Sequence, residues 1–285
     1  MRGEKLIRAL LAATAFAAVA GLALITAFIF REGFPLMMKV GLGRFILSSD
    51  WYPREGEFGI FPMIVGSLAV TAGAMAIGVV FGVGVAVLLT QFCSPRLVGI
   101  LKPSVELLAG IPSVVYGFIG VVILVPLIRE KLGGPGLSVL AASIVLGIMV
   151  LPTVISISVD ALQAVPRPYY EGSVALGATE WQTAHMVMLR AARSGIVAAV
   201  ILGMGRAIGE TMAVIMVAGN TLALPTSLLS PVRTLTSNIA LEMGYAAGDH
   251  RQALFATGVV LFVVIMALNT VALALSRRRG KGGRR

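Results

Sequence analysis

Six long, nearly uncharged runs, at residues 9–30, 61–92, 105–128, 137–159, 194–219 and 253–276, are separated by short charged segments. Each meets the roughly 20 apolar residues that a helix needs to cross a hydrocarbon core. Lipid offers no hydrogen bonds, so a backbone inside it must satisfy itself as helices or as a closed barrel. The runs do not alternate polar with apolar residues, which disfavours a barrel. The expected fold class is therefore an all-α integral membrane protein with six transmembrane helices. Composition agrees: of 285 residues, 58% are hydrophobic and 13% charged, against about a quarter charged in soluble domains.

The net charge of +10 raises nucleic acid as a partner, but the positions of the basic residues explain it differently. Arg2, Lys5 and Arg8 precede the first run, Arg96 and Lys102 fill the second connection, and Arg277, Arg278, Arg279, Lys281, Arg284 and Arg285 follow the last run. With six crossings these segments share one side, and a Lys/Arg excess marks the cytoplasm. Both termini are expected inside, with no nucleic-acid role. Ala18-Val19-Ala20 resembles a signal cleavage site, yet the apolar run continues to Phe30, beyond the usual 7 to 15 residues. A retained anchor helix is expected. The single Cys93 has no internal disulfide partner.

Three parts are expected along the chain: residues 1–60 as the first helix and an extracytoplasmic connection, 61–276 as the core with a cytoplasmic loop at 160–193, and 277–285 as a basic tail. In the connection, Phe34, Leu36, Met37, Val40, Leu42, Phe45 and Ile46 read as an amphipathic piece along the interface. Ser48 to Pro53 reads as a turn with interfacial aromatics. Gly78 and Gly82 form a small-xxx-small face for a neighbouring helix. Gly110-Ile111-Pro112 bends the third run, for packing or for shaping a pathway.

The segment 160–193 is patterned as two short helices. Pro166 and Pro168 can open the first, and Glu171 is placed in its first turn, facing the positive end of the dipole. Gly177 stops it in the left-handed conformation. Thr179-Glu180-Trp181-Gln182 matches a capping box for the second. Such a corner suits transmission of force to a cytoplasmic partner.

Within the membrane, Arg206 and Glu210 stand out. Counting from Arg193, Arg206 lies about 20 Å along a helix rising 1.5 Å per residue. An arginine that deep costs at least about 2.5 kcal/mol and cannot discharge by losing its proton. Glu210, one turn on, is expected on the same helix face as a neutralising partner. The pair reads either as glue between helices or as a station on an anion pathway, where arginine offers a forked cationic partner. Gly203, Gly205 and Gly209 are expected to allow close backbone approach. The sequence has no Gly-Lys-Ser or Gly-Lys-Thr phosphate-cradling loop and no ligand-spaced histidines or nucleophile-base set, so no catalytic residue and no metal are assigned.

Residues Glu171-Gly172-Ser173-Val174-Ala175-Leu176-Gly177-Ala178-Thr179, ending near Val187-Met188-Leu189, resemble the EAA loop of ABC-importer permeases, in which Glu-Ala-Ala is followed after three residues by Gly. The resemblance implies that Glu171, Gly172, Ser173, Gly177, Ala178 and Thr179 form a coupling helix docking on an ATPase. Gly172-Ser173 replaces Ala-Ala, and Arg190 stands where proline is usual, which implies a less sharply bent exit. Residues 107–117 and the block Gly203 to Val214, with Arg206 and Glu210, resemble the PstC family, permease subunits of the high-affinity phosphate ABC importer. This implies a type-1 (MetI-like) permease fold in the cytoplasmic membrane. It also implies a PstA-like companion permease, a PstB-like ATPase dimer that binds the ATP and Mg, and a PstS-like phosphate-binding protein. The chain itself is expected to hold no cofactor. Another anion, such as sulfate or molybdate, and an ATP-independent secondary transporter or channel are the alternatives.

Overall fold

A computed structural model describes the backbone of residues 2–281 and the side chains of residues 7–274. The side chains of Arg2 and Lys5, and those of the basic tail at 277–285, lie outside the described residues. The chain is helical almost throughout: α1 (Arg2–Val40), α2 (Leu42–Leu47), a hairpin of β1 (Trp51–Tyr52) and β2 (Glu57–Phe58), then α3 (Phe61–Val87), closed by a π turn at Leu88–Phe92. There follow α4 (Pro95–Ala109), α5 (Ser113–Ile119), α6 (Val125–Leu132), α7 (Val139–Gln163) and α8 (Arg167–Ala175). The last elements are α9 (Glu180–Gln182), α10 (Leu189–Ala191), α11 (Arg193–Gly209), α12 (Met212–Val217), α13 (Leu235–Glu242) and α14 (Gly248–Lys281).

Among the described residues five helices are long and apolar enough to cross a membrane, and six if the pair Glu180–Ala191 and Arg193–Gly209, bent by 72°, is counted as one span. Two of the six runs are not single helices. The third breaks between Ala109 and Ser113. Pro112 has no N–H, and the residue before a proline avoids helical angles; the Leu108 carbonyl accepts the Ile111 N–H at 3.3 Å and the Tyr116 hydroxyl at 2.8 Å instead. The fifth breaks at Glu210, whose backbone is extended.

The chain packs into two compact units, one formed by the chain through Phe61 with Ile239–Val263, the other by Pro62–Asn238 with the chain from Val264 on. In the first, α1 runs on through Pro35 to Val40, so the expected amphipathic piece is the end of a long helix plus α2, and Leu36, Met37 and Phe45 are buried rather than interfacial. Gly33 lies against the backbone of Phe255 and Ala256, and Phe28 meets Phe255 edge-on at 5.5 Å. The Ser48 to Pro53 segment leads into the hairpin, and Trp51 is buried, not interfacial. Its indole N–H donates to Glu242 Oε2 at 2.9 Å, and His250 Nε2 lies 2.8 Å from the same oxygen.

The second unit is built around α7, whose Val145, Leu146, Met149, Val150 and Val154 are buried. Ser138 begins it by accepting the Ala141 N–H at 3.2 Å, a cap that satisfies one of the helix's unpaired amides. On α3, a side chain at Gly78 or Gly82 would meet Val150 or Val154 of α7 at 2.5 and 2.7 Å. Those two glycines therefore let α3 and α7 touch. Lipid tails are as apolar as leucine, so it is such close contact, rather than exclusion of water, that holds membrane helices together. α7 also receives α11, and α12 packs on α5.

Candidate functional site

Arg206 lies on α11 where that helix runs along α7. It is half-buried, and its Nη1 donates to Thr153 Oγ1 of α7 at 3.1 Å. The sequence-based expectation of a shared face with Glu210 does not hold. α11 stops at Gly209, and Glu210 sits beyond it in extended conformation (φ −68°, ψ 133°). Its Oε1 accepts the Ala213 N–H at 3.2 Å, so the carboxylate caps α12, where unpaired amides and the dipole attract it. Among the described residues no ion pair joins Arg206 to Glu210 or to any other acid. Among the described residues the guanidinium is held by a neutral hydroxyl, and its remaining donors have no acceptor.

The break itself is pinned from the returning chain. Thr236 Oγ1 donates to the Glu210 carbonyl at 3.0 Å. At the far end of α12, the Val232 amide donates to Ala218 O at 2.8 Å, and Arg233 Nε to Asn220 O at 3.1 Å. The short helix is thereby held at both ends, with Ala213, Val214 and Val217 buried. Of the three glycines near Arg206, only Gly203 makes a close approach, to Val154 at 3.0 Å; around Gly205 and Gly209 the space is open. The exposed Leu202 and Gly209 and the half-buried Gly205 and Arg206 thus form a helix face that this chain leaves uncovered.

The second group of expected residues forms the corner it was expected to form. α8 opens at Arg167, after Pro166, and ends before Gly177, whose φ is +85°. Thr179 caps α9 in a complete capping box: Thr179 Oγ1 accepts the Gln182 N–H at 3.3 Å, and Gln182 Oε1 accepts the Thr179 N–H at 2.9 Å. Ser173 and Thr183 hydroxyls meet at 2.9 Å and tie α8 to a π turn at Thr183–Met188. One expectation needs correction. Glu171 is the fifth residue of α8, not in its first turn, because the helix starts a residue before Pro168. The loop's exit, with Arg190 where proline is usual, is bent by 72°, and Gly195 brings the start of α11 against Ala161.

Glu171, Gly172, Gly177 and Thr179 are exposed, Ser173 and Ala178 half-buried, and Leu176 at the corner is 91% exposed. The corner is thus a rigid knob with an apolar tip. Thr153 and Thr236 are the site residues that sequence reasoning missed. Each is an ordinary threonine in its own segment, and only the packing of distant segments brings it to Arg206 or Glu210.

Residues 78–281 match the family described as binding-protein-dependent transport system inner membrane component. The chain is 40% identical over 279 residues to the probable ABC transporter permease protein YqgH of Bacillus subtilis (strain 168), covering 95% of this chain and 90% of the relative. It is 36% identical to the phosphate transport system permease protein PstC of Xylella fastidiosa (strain 9a5c), over 83% of this chain and 80% of that one. The PstC of Haemophilus influenzae is 35% identical, over 82% and 80%. Among solved structures, the inward-facing MetNI methionine ABC transporter matches with TM-score 0.59 and 22% identity over 75% of this chain and 92% of that one. A bacterial ABC transporter involved in import of the acidic polysaccharide alginate matches with TM-score 0.63 and 15% identity over 93% and 95%. At these identities the two structures establish the fold, that of type-1 ABC importer permeases.

Proposed function

The chain belongs to the family of binding-protein-dependent transport system inner membrane components, and from that premise we propose that it is a permease subunit of an ATP-driven importer of inorganic phosphate. It is a multi-pass inner membrane protein, and its relatives are ABC permease subunits. The names of its PstC relatives support phosphate as cargo. Both termini lie in the cytoplasm by the distribution of Lys and Arg. The exposed corner around Leu176 docks on a PstB-like ATPase pair, which binds the ATP and Mg, so this chain hydrolyses nothing and needs no cofactor. A PstA-like companion permease completes the conduit, and a PstS-like protein delivers phosphate from outside. A neighbouring structure, a bacterial alginate ABC transporter in complex with its ligand-bound periplasmic protein, supports an assembly of this kind.

The observation that carries the anion reading is Arg206: a half-buried cation in the middle of an apolar run, held by the Thr153 hydroxyl rather than by a carboxylate. A charge there is too costly to keep as mere glue, and its unfilled donors form the forked geometry that binds phosphate oxygens. In alternating access, ATP-driven closure of the ATPase pair moves the corner, and the spans pass the anion by Arg206.

The test is ATP-dependent uptake by the complex reconstituted in liposomes with its binding protein. Arg206→Gln is expected to abolish phosphate uptake with the complex still assembled; full transport by that variant overturns the pathway role. Uptake by this chain alone, without an ATPase, would identify a secondary carrier. Competition by sulfate or molybdate but not phosphate would change the cargo.

A further inference from the structure

Helical threonines in lipid ordinarily bond a carbonyl of the preceding turn in their own helix. Five here do so: Thr14, Thr26, Thr90, Thr257 and Thr270 donate at 2.7 to 3.0 Å to carbonyls three or four residues back. Thr153 does not. Its oxygen accepts from Arg206 Nη1 at 3.1 Å, and its hydroxyl proton has no acceptor among the described residues. A hydroxyl accepts on its lone pairs and donates along its O–H. With the arginine N–H on one lone pair, the hydroxyl proton is left to donate elsewhere. Among the described residues no acid pairs with the guanidinium, and Glu210 is turned to the Ala213 amide. An unfilled guanidinium and an unfilled hydroxyl proton therefore stand side by side on a half-buried site.

We propose that Thr153 is a binding residue of the anion station: it orients Arg206 through its oxygen and donates its own proton to an oxygen of the passing tetrahedral oxyanion. This rests on reading Arg206 as the anion's cationic partner. The two donors reach adjacent oxygens of one phosphate, so that the anion is gripped by a charge and a neutral hydroxyl together. Such a grip orients the anion without holding it as tightly as two cations would, which suits a site that must release what it binds.

The experiment uses the full reconstituted complex and inorganic phosphate at saturating binding protein, and reads phosphate moved per ATP hydrolysed. Thr153→Val keeps the shape and removes the hydroxyl. It is expected to lower that ratio about tenfold, the scale of one hydrogen bond to a charged group, with binding-protein-stimulated ATP hydrolysis retained. Thr153→Ser, which keeps the hydroxyl, is expected to restore it. A merely structural threonine would lower the yield or melting temperature of the complex, or both rates together, and leave the ratio unchanged. Where valine impairs assembly, Thr153→Ala is read the same way. If Arg206→Gln abolishes uptake and neither Thr153→Val nor Thr153→Ala lowers the ratio, the role of Thr153 falls and the reading of Arg206 stands. If Arg206→Gln transports fully, both fall.

Discussion

Gly177 ends α8 at φ +85°, a conformation that places the Cβ of any L-residue against the following carbonyl at a cost of about 1–2 kcal/mol. Nothing else at that corner crowds a side chain, so the strain of a substitution is purely conformational. Gly177→Ala is expected to loosen the turn into the Thr179 capping box, and fewer ATPase subunits should co-purify with the variant than with the unsubstituted chain. That corner was legible from sequence because a left-handed glycine and a Thr-x-x-Gln box are decided within a few residues. The pair Arg206 and Glu210 was half legible. Both residues lie at the centre of the second unit's site, but four residues of spacing describe a common face only while the helix continues. Glu210 answers instead to the amides of α12, a competitor that its spacing from Arg206 does not reveal.

Hydrophobic runs report length and not continuity, and the elements of this chain make the difference plain. The runs at 105–128 and 194–219 are each long enough to span, yet each is cut, at Pro112 and at Glu210. The first break follows from proline and could be read; the second comes from capping and from the Thr236 hydroxyl at the start of α13, and could not. Helix contacts were legible where glycines announce them. At Gly78 a Cβ would already stand 2.5 Å from Val150, while at Gly84 no atom lies within 4 Å. Gly78→Leu is expected to destabilise the α3–α7 contact by about 1–3 kcal/mol, as overpacking does. Gly84→Leu should leave the melting temperature of the detergent-purified complex close to that of the parent; equal melting of the two variants would remove the contact from the account.

Over the whole molecule, large apolar side chains such as Phe16, Leu107 and Val114 are left exposed by the chain itself, as befits helices whose surroundings are lipid and sister subunits. The class of fold was legible because hydrocarbon permits so few backbones; the two compact units were not, since their division joins residues 239–263 to the N-terminal segment across nearly 180 intervening positions. The chain's two tryptophans differ in the same way as these regions. Trp51 is 3% exposed and hydrogen-bonded to Glu242, and Trp181, beside the Gly177 corner, is 65% exposed. The protein thus carries a pair of native optical reporters. Acrylamide should quench the red-shifted emission of Trp181 and spare the blue component of Trp51, and ATPase binding should protect only the former. Emission that is uniformly quenched, before and after the ATPase is added, would mean that the corner is not where the two proteins meet.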